Sequence, residues 1–314
     1  MRKIFLLMAL LFLAGTVGAC GQQEPPADKI GVATTILPVA DFVKNVGGEK
    51  VKVTVMVPPG ASMHTYEPTP SQIKELAQAR LYVLVGSGVE FELAWMDKII
   101  QNNKNLELTD CSRDIQLIDL EEHEHQEGVA EHPRENTQDI SAAKEQHEHH
   151  QGKDPHIWLS PKNARIMVEN ICAGLIKTDP ANKDYYTQNK DKYLRELAEL
   201  DKNLEENFKK IQNRNFLVFH PAWGYFARDY GFRQIPVEVG GKEPSAKELA
   251  GLIETAKKEK ARVVFASPQF NPQSAALIAR EIGGDVILVD PLPENYLENM
   301  RLVLGKFLED ALRN

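Results

Sequence analysis

The chain has 314 residues, with 45 acidic against 37 basic side chains and a formal charge of −8 at neutral pH. That balance argues against a nucleic-acid partner, because an acidic surface repels a phosphate backbone. Three cysteines do not make a disulfide-stapled scaffold, and the length exceeds what one hydrophobic core usually holds, so two domains are expected.

Met1-Arg2-Lys3 leads into an apolar run from Ile4 to Leu13 and then to Val17-Gly18-Ala19-Cys20. A membrane-spanning helix needs about 20 apolar residues, so this shorter run with a basic flank reads as an export signal over 1–19. Cys20 stands where a bacterial lipobox carries its lipidated cysteine, and ordinary cleavage after Ala19 is the competing reading. Residues 20–29, with Gly21-Gln22-Gln23-Glu24-Pro25-Pro26, read as a linker from a lipid anchor on Cys20. Loss of Arg2 and Lys3 takes the charge from −8 to −10. The mature protein is expected outside the cytoplasmic membrane, lipid-anchored or periplasmic, and monomeric. Cys111 and Cys172 then remain, either paired or, as we expect, buried as thiols.

From Ile30 short β-branched runs alternate with amphipathic stretches: Ile30–Thr34, Leu37–Val46, Val51–Val57, Ser71–Gln78, Leu81–Gly86 and Phe91–Gln101. Strand, helix, strand, helix is the pattern of a mainly parallel sheet covered by helices, which makes 30–182 an α/β lobe. Within it, residues 121–153 break the rhythm with Glu, His and Gln and almost nothing apolar to bury, which predicts a flexible loop. A helix is expected from about Pro161 to Thr178. Next, 183–212 reads as one long linking helix, with Tyr186, Tyr193, Leu197, Leu200, Leu204, Phe208 and Ile211 along a single face. A helix that long can cross two lobes and hold them rigidly. The α/β rhythm resumes over 213–314, with strands at Phe216–Phe219, Gln234–Val239, Val263–Ala266 and Val286–Val289. Helices are expected near Trp223–Tyr230, Ser245–Lys258 and Pro272–Ile282, and from Glu294 onward. The fold class is therefore α/β, two lobes with mainly parallel sheets joined by one long α-helix.

Nine histidines are distributed unevenly along the chain. Six of them, His123, His125, His132, His147, His149 and His150, crowd into the loop, while His64, His156 and His220 stand alone. Imidazole is the commonest protein ligand for borderline metal ions. Each of the lone histidines His64, His156 and His220 is read as lying at the end of a strand-like run or in the loop after it, and Asp290 ends another. Ligands in open α/β sheets bind outside the carboxyl ends of strands, so these positions converge on one site between the lobes. Their separations of 92, 64 and 70 residues exclude a compact zinc finger. Taken singly, a histidine is more often a surface or hydrogen-bonded residue, and Asp290 before Pro291 could begin a turn. The loop histidines read as auxiliary low-affinity metal ligands or sensors, or else as a solvated spacer. A metallopeptidase reading of His123-Glu124-His125 fails for want of a second histidine at helical spacing, which makes a zinc hydrolase a remote alternative.

Four segments carry a resemblance: Pro59-Gly60-Ala61-Ser62-Met63-His64-Thr65-Tyr66-Glu67-Pro68, Asp154-Pro155-His156-Ile157-Trp158-Leu159-Ser160-Pro161, His220-Pro221-Ala222-Trp223-Gly224-Tyr225-Phe226 and Asp290-Pro291-Leu292. They resemble the metal-binding motifs of the zinc/manganese solute-binding proteins of ABC importers, from about Ile30 to the C-terminus. The resemblance implies a metal ion held between two lobes and delivered to an ABC permease, with no catalysis. Carried over by motif, the ligands are His64, His156, His220 and Asp290. Manganese-type members tend to have glutamate at the third position, where this chain has His220, and the His/Glu insertion is similar to that of the zinc-specific branch. Three imidazoles and a carboxylate suit tetrahedral Zn2+, whereas manganese favours more oxygen donors. Some members of that branch bind with the histidines alone and leave the fourth position to water or another carboxylate. Manganese or ferrous iron remains the alternative cargo.

Overall fold

A computed structural model describes residues 29–119, 152–238, 244–268 and 272–311. The export segment, Cys20, most of the linker and the six histidines of the insertion lie outside the described residues.

Two four-stranded parallel sheets form the frame. The first contains β1 (Ile30–Thr34), β2 (Val51–Val55), β3 (Leu81–Leu84) and β4 (Glu107–Asp110) in the order β2-β1-β3-β4. The second contains β5 (Asn215–Val218), β6 (Arg233–Pro236), β7 (Val263–Ala266) and β8 (Asp285–Leu288), and repeats that order as β6-β5-β7-β8. Register is set by pairs such as Ile30 opposite Val51, Val32 opposite Leu81 and Leu217 opposite Val264. Parallel neighbours need crossover connections, which helices supply. These are α1 (Leu37–Gly47), α2 (Pro70–Leu76) and α3 (Glu90–Asn102) in the first lobe, with α6 (Gly224–Tyr230), α7 (Ala246–Lys258) and α8 (Pro272–Ile282) in the second.

Helix starts follow from local chemistry. Thr69 and Ser245 each close a capping box, with Gln72 and Glu248, and Ser160 accepts the N–H groups of Lys162 and Asn163 ahead of α4 (Pro161–Thr178). The linking helix α5 (Lys183–Phe208) runs 26 residues, about 39 Å at 1.5 Å per residue. Its predicted apolar face is buried from Tyr186 to Phe208. It packs against α1 and α4 of the first lobe and against α6 and the last helix, α9 (Tyr296–Ala311), of the second.

One hydrophobic core therefore passes through both lobes, from Val32 and Val83 through Leu197 and Leu204 to Phe216 and Phe307. Strand β5 and the residue after it alternate across the sheet: Phe216 and Val218 join that core, while Leu217 and Phe219 join a smaller cluster with Ala256, Val264 and Ile278. Cys111 and Cys172 are buried free thiols. No described helix is long and apolar enough to cross a membrane.

Candidate metal centre

Each lone histidine is delivered to the cleft by a loop that the fold holds firmly. Beyond β2, the chain turns through Gly60 at φ 79°, a left-handed conformation that favours glycine. Tyr66 then bonds to Gln72, whose amide donates to the Met56 carbonyl, so the loop carrying His64 is tied to α2 and to the strand that launched it. His156 sits in a buried turn before α4, and His220 follows β5 directly.

The three side chains meet. Nε2 of His220 lies 3.2 Å from Nε2 of His64 and 3.2 Å from Nε2 of His156, with ring centroids 4.9 and 5.0 Å apart. Among the described residues these three form the group of histidine, cysteine and acidic side chains whose donor atoms all lie within 4.8 Å of one another. Two lone pairs cannot bond each other, so what the three Nε2 atoms share depends on where each ring keeps its proton.

Every ring has a carboxylate on its other nitrogen. His64 Nδ1–H donates to Glu90 at 2.8 Å, His156 Nδ1–H to Asp154 at 2.8 Å and His220 Nδ1–H to Glu238 at 2.6 Å. Three carboxylates on the Nδ1 side hold the proton there and leave all three Nε2 lone pairs pointing at one centre. Three nitrogens bound to a tetrahedral zinc at about 2.0–2.1 Å stand roughly 3.3 Å apart, close to the separation seen. The carboxylates also supply negative charge toward a divalent cation. Burial works against ionisation of Glu90, but the hydrogen bond from His64 outweighs it and holds the carboxyl below its usual range. Burial likewise holds the His156 imidazole below the usual range, despite the opposing pull of Asp154, so this ring stays neutral and able to donate.

The walls are apolar. Met63, Trp158, Pro291 and Leu292 line the same small cavity as the three imidazoles. Trp158 Nε1–H donates to the Pro291 carbonyl at 2.6 Å and so pins the wall of one lobe to the other.

Of the four ligands expected from the sequence, three are brought together and Asp290 stands apart from the group. Its Oδ1 accepts the Leu292 N–H at 2.8 Å and its carbonyl accepts from Asn299 at 2.9 Å. Sequence reasoning passed over Glu90, Asp154 and Glu238 as partners of the ligands. Asp154 had a signal in its position two residues before His156. The other two are 26 and 18 residues from their histidines, and no local pattern marks them.

Comparisons with known proteins place the chain in a family. The family model described as zinc-uptake complex component A, periplasmic, matches residues 32–309. The chain is 31% identical to the high-affinity zinc uptake system protein ZnuA of Bacillus subtilis, over 92% of this chain and 88% of that protein. It is 30% identical to the zinc-binding lipoprotein AdcA of Streptococcus pneumoniae, over 96% of this chain but only 59% of the relative's length. Among solved structures, a crystal structure of ZnuA superimposes with a TM-score of 0.78 at 37% identity, covering 90% of this chain and 99% of that one. A zinc-bound deletion mutant of ZnuA gives 0.77 at 37% identity, covering 90% and 98%.

Proposed function

Because this chain belongs to the family of periplasmic zinc-uptake component A proteins, we propose that it captures Zn2+ in the interlobe cleft with His64, His156 and His220 and surrenders it to an ABC-type importer. The chain is an extracytoplasmic zinc-binding protein of the solute-binding class, and zinc is its cargo. One observation carries the site assignment: three Nε2 atoms within bonding reach of one ion, each ring fixed through Nδ1 by its own carboxylate. An all-imidazole set favours zinc over manganese, which prefers oxygen.

Asp290 is proposed as the fourth donor. Pro291 and Leu292 beside it already line the cavity, and coordination requires one carboxylate oxygen to turn from the Leu292 N–H toward the ion. Attachment through a lipidated Cys20, a monomeric state and auxiliary zinc capture by His123, His125, His132, His147, His149 and His150 complete the proposal. Nothing in the donor set leaves an open position for an activated water once four protein ligands are in place, so we propose a carrier and not a hydrolase.

The test is a zinc competition titration against a chelator. Replacement of His64, His156 or His220 by alanine is expected to weaken binding at least a hundredfold, and Asp290→Ala at least tenfold. Retained affinity in any histidine variant would remove that residue from the ligand set. Unchanged affinity in Asp290→Ala would leave the fourth position to water.

A further inference from the structure

His156 is linked through Asp154 to a buried tyrosine of the second lobe. The chain leaves the described part of the first lobe at Asp119 and returns at Gly152, and the segment between carries the six clustered histidines. Its two ends are pinched together. Asp154 N–H donates to the Ile118 carbonyl at 2.9 Å, Asp119 and Lys153 form an antiparallel bridge, and their side chains make an ion pair. The Tyr225 hydroxyl inserts at this neck. It accepts the Ile118 N–H at 3.2 Å and donates to the Asp154 carbonyl at 2.7 Å, so one oxygen from the second lobe holds both strands of the neck.

Asp154 is also the residue that aims His156. Its Oδ1 accepts both the His156 N–H at 2.9 Å and the ring Nδ1–H at 2.8 Å. Tyr225 belongs to the first turn of α6, five residues after His220, and the lobes meet closely there. A methyl group added at Gly224 would come within 2.5 Å of Asp154 Oδ2 and 3.0 Å of Ile118 Cδ1, so only glycine lets the helix approach. The Arg228 guanidinium lies 5.1 Å from the Tyr225 ring centroid and donates to the Gln116 carbonyl, which fixes the same contact from the solvent side. Tyr225 is itself fully buried.

We propose that Tyr225 is a positioning residue for the metal centre: its hydroxyl locks the neck of the histidine-rich insertion and, through Asp154, sets the His156 ring relative to His220. The inference rests on the metal reading given above. Removal of a partner that orients a metal-binding histidine typically costs ten- to a hundredfold in affinity, and a hydroxyl acting one step further out costs less.

The experiment is a double-mutant cycle on the full chain, with zinc affinity and zinc dissociation rate as readouts. Tyr225→Phe removes the hydroxyl and keeps the ring. It is expected to weaken zinc about three- to tenfold, and Asp154→Asn about ten- to a hundredfold. The pair Tyr225→Phe with Asp154→Asn should bind no more weakly than Asp154→Asn alone, because both act along one chain of contacts. A hydroxyl that acts on zinc independently of Asp154 gives multiplied losses instead, and one that merely stabilises the fold leaves Tyr225→Phe at wild-type affinity; either result overturns the proposal. Gly224→Ala, which presses on the Asp154 carboxylate from the same helix, supplies a second route and should weaken zinc without any change at residue 225; unaltered affinity there also overturns the proposal. Wild-type protein is titrated first alongside His156→Ala. If the wild type fails to bind zinc, the metal reading itself falls, whereas binding by the wild type with no effect at Tyr225 refutes this inference alone.

Discussion

At the scale of single residues, what makes this site is less the three histidines than the carboxylate behind each one. Glu238 is buried, 7% exposed, and accepts the His220 Nδ1–H at 2.6 Å. Glu238→Gln can still accept that proton but carries no charge, so zinc affinity is expected to fall ten- to a hundredfold, measurable by chelator competition. Protons compete with zinc for the same lone pairs, and an ordinary imidazole titrates near pH 6.5, so affinity should fall progressively as pH drops below about 6.5. Burial keeps His156 neutral to lower pH than an exposed ring. Affinity that stays flat from neutral to acid pH contradicts imidazole ligation. The histidines were legible because each stood alone in a motif, outside the crowded insertion. Their carboxylate partners were not, since a hydrogen bond spanning 26 residues leaves no periodic trace.

At the scale of elements, strands and helices with an apolar run or helical spacing could be read from the sequence, and one strand without such a run was missed. β1, β7, α4 and α8 carry clear apolar runs or helical spacing and match their expected ranges. β4 is an edge strand, Glu-Leu-Thr-Asp, with none of its residues fully buried, so it needs no apolar run and shows none. Its Asp110 instead crowds Gly86, where φ is 80° and an added Cβ would overlap the carboxylate. Helix α3 is anchored by another buried acid. Glu92 accepts the N–H groups of Val85 and Gly86 and the hydroxyl of Thr35, which pins the helix that carries Glu90 to the ends of β1 and β3. Desolvation pushes the Glu92 carboxyl up to about 7 from an ordinary 4.5. A raised carboxyl favours the folded state while protonated, so this stabilisation is full below pH 4.5 and disappears as pH rises to 7. The difference amounts to about 3 kcal/mol. Glu92→Gln cannot titrate, and its unfolding free energy should lose that share of the pH dependence between 4.5 and 7. An unchanged pH profile would show that Glu92 titrates normally.

The long helix belongs to the same scale. Phe208, near the end of α5, is 1% exposed and touches the rings of Phe226, Phe232 and Phe307, with centroids 5.6, 4.9 and 5.5 Å away. Phe208→Ala should cost about 3–5 kcal/mol in denaturant unfolding, because the cavity opens where the linking helix meets the second lobe. A loss below 1 kcal/mol would mean that this end of the helix does not bind the lobes together.

At the scale of the whole molecule, rigidity is built into the lobe contacts. Asp41 of α1 accepts the Tyr193 hydroxyl of α5 and the Tyr296 N–H of α9, Ser160 donates to Asp229 and Trp158 donates to the Pro291 carbonyl. Fixed contacts of this kind keep three ligands from two lobes converged before the ion arrives, which lowers the ordering cost of binding. The alternation of strands and helices foretold the two sheets, but the sequence could not show how closely their loops would approach. Asp290 is one such loop residue: its Oδ1 accepts the Leu292 N–H beside the cavity.

The most direct measurement is a crystal structure of the zinc-loaded protein with anomalous data collected at the zinc edge. We predict a single strong peak in the cleft, about 2.0–2.1 Å from the Nε2 atoms of His64, His156 and His220, with the Glu90, Asp154 and Glu238 contacts to Nδ1 retained. A peak displaced from these nitrogens, or an ion held mainly by carboxylates elsewhere, would contradict the account.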